Sequence, residues 1–377
     1  MDWVYYLISF FVIINVIVFV HEFGHYLAAR KVGVKVTTFS LGMGPEVFGF
    51  DDKNGTRWRF SLLPIGGYVM MLGDKDASST THDEECLEGL TEEEKQQTIA
   101  YKSNWEKIWV AFSGPFANYI YAFVVLFIMG ISYGVPKYMP IVGDVLKGSP
   151  AETAGFAAGD KIIAIDGNPI EKFRDVLISI SNSDKEKLSF KVERNGKTLT
   201  IDVTPQITEK KKLLGGVKKT KTVGIKSGDP IFERASIVDS FTGAIGTCVS
   251  STQEMFFMLS RLFSGKKSLD DFGGFVHMAS VAGDISKSGN IALLILFTVT
   301  LSLNLGFINL FPFPVLDGGM ILICFIEQVT KRKLNEKLQE YVMIACALLL
   351  ILLMLATTIN DILRLEAVNK FVCRILE

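Results

Sequence analysis

The segment His21-Glu22-Phe23-Gly24-His25 follows an uncharged apolar run over residues 4–20, which indicates a metal site attached to a membrane helix. If the run continues as a helix, His21 and His25 fall one turn apart on one face, the spacing that two ligands of one zinc ion need. Glu22 follows the first histidine, where its carboxylate is placed to accept a proton from an attacking water. We therefore expect hydrolytic chemistry in or against the bilayer.

Four stretches are apolar over the roughly 20 residues that a membrane helix needs. They cover residues 4–20 with a continuation to 29, 108–135, 291–316 and 341–360. Charged residues still make up 21% of the chain, so the sequence predicts apolar spans that alternate with solvated segments. We interpret the first span as permanent, because no small-residue cleavage site follows it and cleavage there would discard the histidine motif.

Charge and cysteine content narrow the function classes further. The net charge is −1 and no basic tract with interleaved aromatic residues appears, so we expect no nucleic-acid partner. The five cysteines are scattered and form no CxxC pair, which argues against a disulfide framework.

Basic residues in the short flanks predict the orientation of the spans. Arg30, Lys31 and Lys35 follow the first span, and residues 331–337 between the third and fourth spans contain four more basic side chains. Because short cytoplasmic links are rich in lysine and arginine, both links are expected to face the cytoplasm. The N-terminus, residues 136–290 and the C-terminus would then lie outside.

A β segment is predicted between the first two spans. Residues 34–39, 47–50 and 58–63 have the composition of short strands, and residues 51–55 fit a hairpin turn. The stretch is apolar but interrupted by glycine and proline. This pattern suits a sheet that dips into the membrane region while other parts of the protein shield it.

Residues 140–206 have the pattern of an independent domain. Ser149-Pro150-Ala151 and Gly159-Asp160 lie between strand-like runs, and Asn195-Gly196 predicts a closing hairpin. The pattern resembles a PDZ domain, a fold that binds an extended peptide or a C-terminus at a sheet edge. A small β domain that only holds the spans apart is the alternative. For residues 235–262, a helix on the outer membrane surface is favoured over a fifth span.

These features predict a polytopic α-helical membrane protein with about four transmembrane helices, a membrane-associated β segment and one inserted PDZ-like α+β domain. An N-terminal membrane half would cover residues 1–135, and a PDZ-like extracytoplasmic domain would cover residues 136–210. A linker with a membrane-surface helix would follow over 211–290, and a C-terminal membrane half over 291–377.

Asp317 is the best candidate for a third metal ligand, since a catalytic zinc site usually has three protein ligands. It ends a run of 27 uncharged residues, 290–316, where a carboxylate costs about 2.5–3.5 kcal/mol near the bilayer centre and therefore needs a partner. The alternative is an interfacial aspartate that caps a new helix at Gly318. His82 lies in an acidic stretch and His277 on the predicted outer side, so neither is a good ligand.

The chain resembles the site-2 protease family, specifically the bacterial RseP-type intramembrane metalloproteases, over nearly its whole length. The resemblance is carried by HExxH in the first span, by the PDZ pattern, and by three further motifs. These are Pro64-Ile65-Gly66-Gly67-Tyr68, Ser113-Gly114-Pro115-Phe116-Ala117-Asn118, and the NxxPxPxLDGG sequence over residues 309–319.

The resemblance implies one Zn2+ per chain on His21, His25 and Asp317, with Glu22 as general base. It also implies a group of substrate-binding residues: Asn309, Pro312, Pro314, Gly66, Gly67, Tyr68 and Asn118. The expected activity is a zinc metalloendopeptidase that cuts transmembrane helices after a first extracytoplasmic cut, as in regulated intramembrane proteolysis. Expected substrates are single-span proteins such as anti-sigma factors or signal peptide remnants, in a bacterial cytoplasmic (inner) membrane.

Some positions depart from the family pattern, and two other function classes stay open. Met70 stands where relatives often carry lysine, Gly273-Gly274 replaces a Gly-Pro pair, and one PDZ pattern is found where many relatives have two. A catalytically silent, membrane-bound PDZ adaptor is the first alternative. A metal-binding transporter subunit is the second, although it would favour polar residues spread over several spans.

Overall fold

The computed structural model describes residues 2–74, 89–137, 139–183, 185–211, 217–228, 230–263 and 274–364. His82 and Gly273 lie outside these ranges. The helices are α1 (Asp2–Lys31), α2 (Glu92–Lys95), α3 (Asn104–Ser132), α4 (Pro150–Thr153), α5 (Phe173–Asn182), α6 (Ile237–Phe263), α7 (Phe275–Lys287), α8 (Ile291–Asn309), α9 (Asp317–Thr330) and α10 (Glu336–Arg364). The strands are β1 (Val36–Asp51), β2 (Arg57–Met71), β3 (Val135–Lys137), β4 (Val142–Val145), β5 (Lys161–Ile165), β6 (Asn168–Pro169), β7 (Leu188–Arg194), β8 (Lys197–Val203), β9 (Gln206–Lys211), β10 (Val217–Thr222), β11 (Ile225–Ser227) and β12 (Ile231–Glu233).

The chain forms two compact units. The membrane unit comprises Met1–Ile128, Ala244–Lys267 and Asp271–Glu377, and the inserted unit comprises Met129–Gly243 and Ser268–Asp270. In the described residues, four helices are long and apolar enough to cross a bilayer: Val4–Lys31, Asn104–Ser132, Ile291–Asn309 and Lys337–Ile359. Judged by length and composition, the predicted number of membrane helices is confirmed.

The third apolar stretch, residues 291–316, is not one continuous helix. Helix α8 ends at Asn309 rather than at residue 316, and residues 310–316 form a loop. Pro312 and Pro314 supply no backbone donor and clash with the preceding turn, so an apolar composition alone does not continue the helix. Two short helices precede and follow α8 in the sequence: α7, which the sequence analysis did not predict, and α9, which begins where the alternative interpretation of Asp317 placed a new helix.

In the membrane unit, a two-stranded sheet packs on the C-terminal half of α1. Residues 38–41 of β1 pair with residues 57–60 of β2 on one side and with residues 67–70 of β2 on the other. Strand β2 therefore bends back so that its two ends flank the same part of β1. The predicted hairpin turn is confirmed, with β1 ending at Asp51 and the Asp52 amide donating to the Thr56 carbonyl. Tyr26, Val36 and Phe39 are buried in the core between helix and sheet.

Asp52 fixes this turn against α1. Its carboxylate accepts hydrogen bonds from the Trp58 indole at 3.1 Å, from the Tyr26 hydroxyl at 3.2 Å and from the Asn54 and Thr56 amides. Partial burial alone would raise the pKa of Asp52, but these donors outweigh it and hold the pKa at about 2. The turn therefore carries a charged side chain that fixes the position of the sheet on the helix.

Helices α6, α7 and α8 pack against α1 and α3. Phe10, Ile13 and Ile17 of α1 form one core with Ala279 and Ala282 of α7. A second core joins α3, α6 and α8, and Tyr119 of α3 shares a 2.9 Å hydrogen bond with Thr252 of α6. The predicted helix near residues 235–262 is thus present as α6, while its place at the membrane surface stays a prediction.

The inserted unit contains a four-stranded antiparallel sheet in the order β6-β5-β7-β8, with α5 beside it. Asn195 and Gly196 both have positive φ and join β7 to β8, which confirms the predicted hairpin. Strand β11 pairs with β4, so the unit extends beyond the predicted boundary at residue 210. This arrangement fits the PDZ-like α+β domain that the sequence indicates.

Asp160 is the polar centre of the inserted unit. It is fully buried and forms two hydrogen bonds with Arg194, at 2.6 and 2.7 Å, and a third with the Ala157 amide. Burial alone would raise the pKa of Asp160, but Arg194 and the amide outweigh it, so the pKa lies below its ordinary value. The aspartate of the Gly159-Asp160 motif is therefore a structural residue.

Candidate metal centre

Three side chains from distant parts of the sequence converge in the membrane unit. His21 Nε2 lies 3.2 Å from His25 Nε2 and 3.2 Å from Asp317 Oδ2, and His25 Nε2 lies 3.4 Å from Asp317 Oδ1. Their ligand atoms all lie within 4.8 Å of one another. Among the described residues, these three form a group of His, Cys, Asp or Glu side chains close enough to share one ion.

The separations between these atoms agree with tetrahedral coordination. Zinc binds histidine nitrogen at about 2.0–2.1 Å and carboxylate oxygen at a similar distance. Two ligands at a tetrahedral angle around such an ion are roughly 3.3–3.4 Å apart. The two histidine nitrogens are 3.2 Å apart, and they lie 3.2 and 3.4 Å from different oxygens of Asp317, so the three residues are close enough to hold one zinc ion.

The hydrogen bond of His25 shows which of its two ring nitrogens carries a lone pair that can bind a metal. His25 Nδ1 lies 2.8 Å from the Val110 carbonyl oxygen, which only accepts, so the ring proton belongs on Nδ1. His25 Nε2 then presents a lone pair towards His21 Nε2 and Asp317. Asp317 Oδ2 is itself buried and has no hydrogen-bond donor among the described residues. A metal cation requires several lone pairs that point towards one position, and these side chains supply them.

Close packing of α1 on α3 places both histidines. A Cβ atom on Gly24 would overlap the Ser113 carbonyl and lie 2.8 Å from Ala117 Cβ, so the glycine in HEFGH permits the contact. Gly114 and Asn118 lie one turn apart on α3. Gly114 lies against the His25 ring, and Asn118 lies against His21. The Ser113–Asn118 motif therefore forms the wall on which the two histidines rest.

Asp317 is the first residue of α9, so the new helix at Gly318 that the alternative interpretation of Asp317 expected is present. The carboxylate of Asp317 nevertheless faces the two histidines. A Cβ atom on Gly318 would overlap the Leu310 and Phe311 carbonyls, and one on Gly319 would overlap the Phe313 carbonyl. These two glycines let the loop after α8 fold back over the first turn of α9. The Leu316 amide donates to the Phe313 carbonyl at 2.8 Å and closes this loop.

Glu22 lies beside the β2 strand. A Cβ atom on Gly67 would lie 3.1 Å from Glu22 Cγ, 2.9 Å from Val18 Cγ1 and 2.8 Å from the Ser40 carbonyl oxygen. Gly66 has φ of +73°, a conformation that side chains disfavour. The Gly66-Gly67-Tyr68 segment thus passes α1 at the turn that carries the predicted general base.

The other predicted site residues differ in their exposure and in how close they lie to the two histidines. The Asn309 amide nitrogen lies 3.2 Å from His21 Nε2, so this residue borders the centre directly. Pro312 is exposed and Pro314 half-buried in the loop between α8 and Asp317. Asn118 is fully buried behind His21. His277 lies in α7, where its amide donates to Asp361, and it is not part of the three-residue group.

Comparison with known proteins gives the family of the chain. The model of peptidase family M50 matches residues 9–353. The chain belongs to peptidase family M50. A Mesorhizobium japonicum protein described as a "putative zinc metalloprotease" is 35% identical over 360 residues, which cover 94% of this chain and 98% of that one. Metalloprotease MmpA of Caulobacter vibrioides is 31% identical over an alignment of 388 positions, gaps included, which covers 97% of each chain.

One structural likeness concerns the inserted unit of this M50 peptidase. The PDZ domain of an SdrC-like protein from Listeria monocytogenes is 22% identical and covers 23% of this chain and 84% of its own. Its TM-score of 0.19 is too low to establish a shared fold.

The family assignment makes this chain a site-2 protease-type zinc metalloprotease with membrane helices. It disfavours the silent adaptor and the transporter subunit. Sequence reasoning did not assign roles to the Val110 carbonyl or Gly114, although the run Ser113-Gly114-Pro115 inside a membrane helix is a signal of close helix contact.

Proposed function

We propose that this M50 peptidase is a zinc-dependent intramembrane endopeptidase that cuts transmembrane helices of other membrane proteins. The observation that carries the proposal is the convergence of His21, His25 and Asp317 on one point. The histidines belong to one candidate span, and Asp317 follows the loop after another. A site among such helices suits a substrate that is itself apolar.

His21, His25 and Asp317 would hold the zinc ion, and Glu22 would act as general base. When bound, zinc lowers the pKa of a water towards about 7 and stabilises the charge that develops on a scissile carbonyl. Glu22 accepts the proton of the attacking water and donates it to the leaving nitrogen. Its position one residue after His21 and beside Gly67 supports this role.

Asn309 is the best candidate for contact with the reacting peptide group. Its amide nitrogen is 3.2 Å from His21 Nε2, and it ends α8 where the loop with Pro312 and Pro314 begins. A fixed amide donor beside a metal centre can hold a substrate carbonyl and stabilise negative charge on it.

The β2 strand offers a way to bind an unwound substrate. A transmembrane helix hides its carbonyls in internal hydrogen bonds, so it must unwind before it is cut. Residues 67–71 of β2 pair with 36–41 of β1, and no third strand joins this sheet in the part of the chain that the structure describes. Gly66, Gly67 and Tyr68 would add the substrate as an extra strand and replace its lost hydrogen bonds.

The inserted unit would select substrates that another protease has already trimmed on the outer side. Its PDZ-like sheet suits a size filter or a reader of a new C-terminus. The basic flank Arg30, Lys31 and Lys35 after α1 supports an extracytoplasmic location for this unit. Anti-sigma factors and signal peptide remnants in a bacterial cytoplasmic membrane are single-span chains of this kind.

Cleavage of a single-span reporter by the full-length protein in lipid vesicles tests the proposal. Glu22→Gln should abolish cleavage and leave one zinc per chain, because the amide cannot accept the proton. Glu93→Gln, at an exposed position of α2, is the matched control and should cut normally. Full activity of Glu22→Gln would refute its role as base, and wild-type activity that survives complete zinc removal would refute the metal chemistry.

A further inference from the structure

Asn118 is a fully buried amide with a mismatch in its hydrogen bonding. Its Nδ2 lies 3.2 Å from His21 Nδ1, while its Oδ1 is buried and has no hydrogen-bond donor among the described residues. If Nδ2 donates to Nδ1, the proton of a neutral His21 ring belongs on Nε2. That nitrogen lies 3.2 Å from both His25 Nε2 and Asp317 Oδ2, where a ligand must present a lone pair instead.

A half-turn of the amide removes this conflict. The two ends of an asparagine side chain have nearly the same shape, and the hydrogen-bond partners decide which is which. With Oδ1 towards His21, it accepts the proton of Nδ1–H, and the buried acceptor gains the donor that it lacked. The lone pair of His21 Nε2 is then free to bind a metal.

We propose that Asn118 is a positioning residue whose Oδ1 accepts a hydrogen bond from His21 Nδ1–H and thereby keeps Nε2 as a ligand. It does for His21 what the Val110 carbonyl does for His25. Bonds of this kind between a ligating histidine and a second acceptor fix the ring and its tautomer. The inference rests on the proposed metal centre and adds a residue that would not touch zinc or substrate.

The surroundings of Asn118 support a fixed amide. Its backbone carbonyl accepts a 3.1 Å hydrogen bond from the buried Ser302 hydroxyl of α8, which fixes α3 at this level. With no exposed surface, Asn118 is poorly placed for the substrate contact that the family resemblance implied. Its position one turn from Gly114 matches the one-turn spacing of His21 and His25.

Zinc affinity of full-length variants, measured by competition with a chelator, tests the proposal. Asn118→Asp keeps an acceptor and removes the donor, so it should bind zinc within about threefold of the wild type. Asn118→Leu has a similar volume and no acceptor, and it should bind zinc roughly 10–100-fold more weakly. The Co2+-loaded Leu variant should also show an altered visible absorption spectrum, which the Asp variant restores.

Two results would overturn the proposal: zinc affinity of Asn118→Leu equal to that of the wild type, or a loss in Asn118→Asp as large as in the Leu variant. The second would mean that the amide acts as a donor. If the Leu variant does not fold, the Asp variant decides alone: zinc affinity more than about tenfold below the wild type overturns the proposal, and affinity within about threefold supports it. Failure of the metal centre itself is distinguishable, because the wild type would then bind no zinc through His21, His25 and Asp317.

Discussion

Gly114→Ala is the substitution whose effect on the metal centre can be worked out most directly. A Cβ atom at this position would overlap His25 Nε2 and lie 2.6 Å from Cε1 and 2.8 Å from Cδ2. Ordinary contacts to a Cβ begin at 3.4 Å, so the ring would have to move by about 0.6–0.8 Å at these two carbons, and further at Nε2. Functional groups need to be held within about 0.5 Å of their working geometry.

Zinc affinity should therefore fall at least tenfold in Gly114→Ala, because the displaced ring also loses its bond to the Val110 carbonyl. A general loss of helix stability would not explain that result, since alanine favours a helix interior over glycine by about 1 kcal/mol. Gly246→Ala in α6 is the matched control, because its Cβ would meet nothing within 4 Å.

The assay is titration of the purified full-length protein with zinc against a chelator, with helix content followed by circular dichroism. The control should bind zinc as the wild type does. Zinc affinity of Gly114→Ala within twofold of the wild type, at unchanged helix content, would refute the packing of His25 against α3.

Two further substitutions test other parts of the structure. Gly67→Ala should cut a reporter at least tenfold more slowly and still bind one zinc, because its Cβ would lie 3.1 Å from Glu22 Cγ and 2.8 Å from the Ser40 carbonyl; cleavage at the wild-type rate would count against the placement of Glu22 beside β2. Asp160→Asn should destabilise the inserted unit by about 1–3 kcal/mol, which hydrogen exchange of β5 and β7 in the full-length protein can measure. Because the pKa of Asp160 is lowered in the folded state, its stabilisation is present above the unfolded value of about 3.9 and is lost as the pH falls towards the folded value. After correction for the intrinsic pH dependence of amide exchange, the protection of β5 and β7 should therefore fall more on acidification in the wild type than in the variant; equal losses of protection in the two proteins would contradict this.

Local sequence features were sufficient to predict that His21, His25 and Asp317 lie together. His21 and His25 are one helical turn apart, which places them on one face whatever packs against it. Asp317 was identified because a carboxylate at the end of a long uncharged run needs a partner. Convergence of the three could then be inferred without knowing the arrangement of the helices.

The environment of the ligands could not be predicted in the same way. That Gly114 faces His25 and Asn118 faces His21 depends on the register between α1 and α3, which are separated by 72 residues, 32–103. No local pattern sets this register. The close approach becomes visible only when the glycines are placed against their neighbours.

The elements that were missed or misjudged have related causes. Strands β1 and β2 are longer than predicted because their pairing, with 38–41 bonded on both sides, is non-local. Helices α7 and α9 are only 13 and 14 residues long, so neither stands out as a span. The end of α8 at Asn309 follows from Pro312 and Pro314 rather than from hydropathy.

Zinc K-edge X-ray absorption of the full-length protein tests the central claim most directly. One zinc per chain should be bound by two imidazole nitrogens at about 2.0–2.1 Å together with oxygen ligands. Replacement of His21, His25 or Asp317 by alanine should each remove the ion or change its spectrum. An unchanged spectrum and an unchanged zinc content in all three variants would contradict the account.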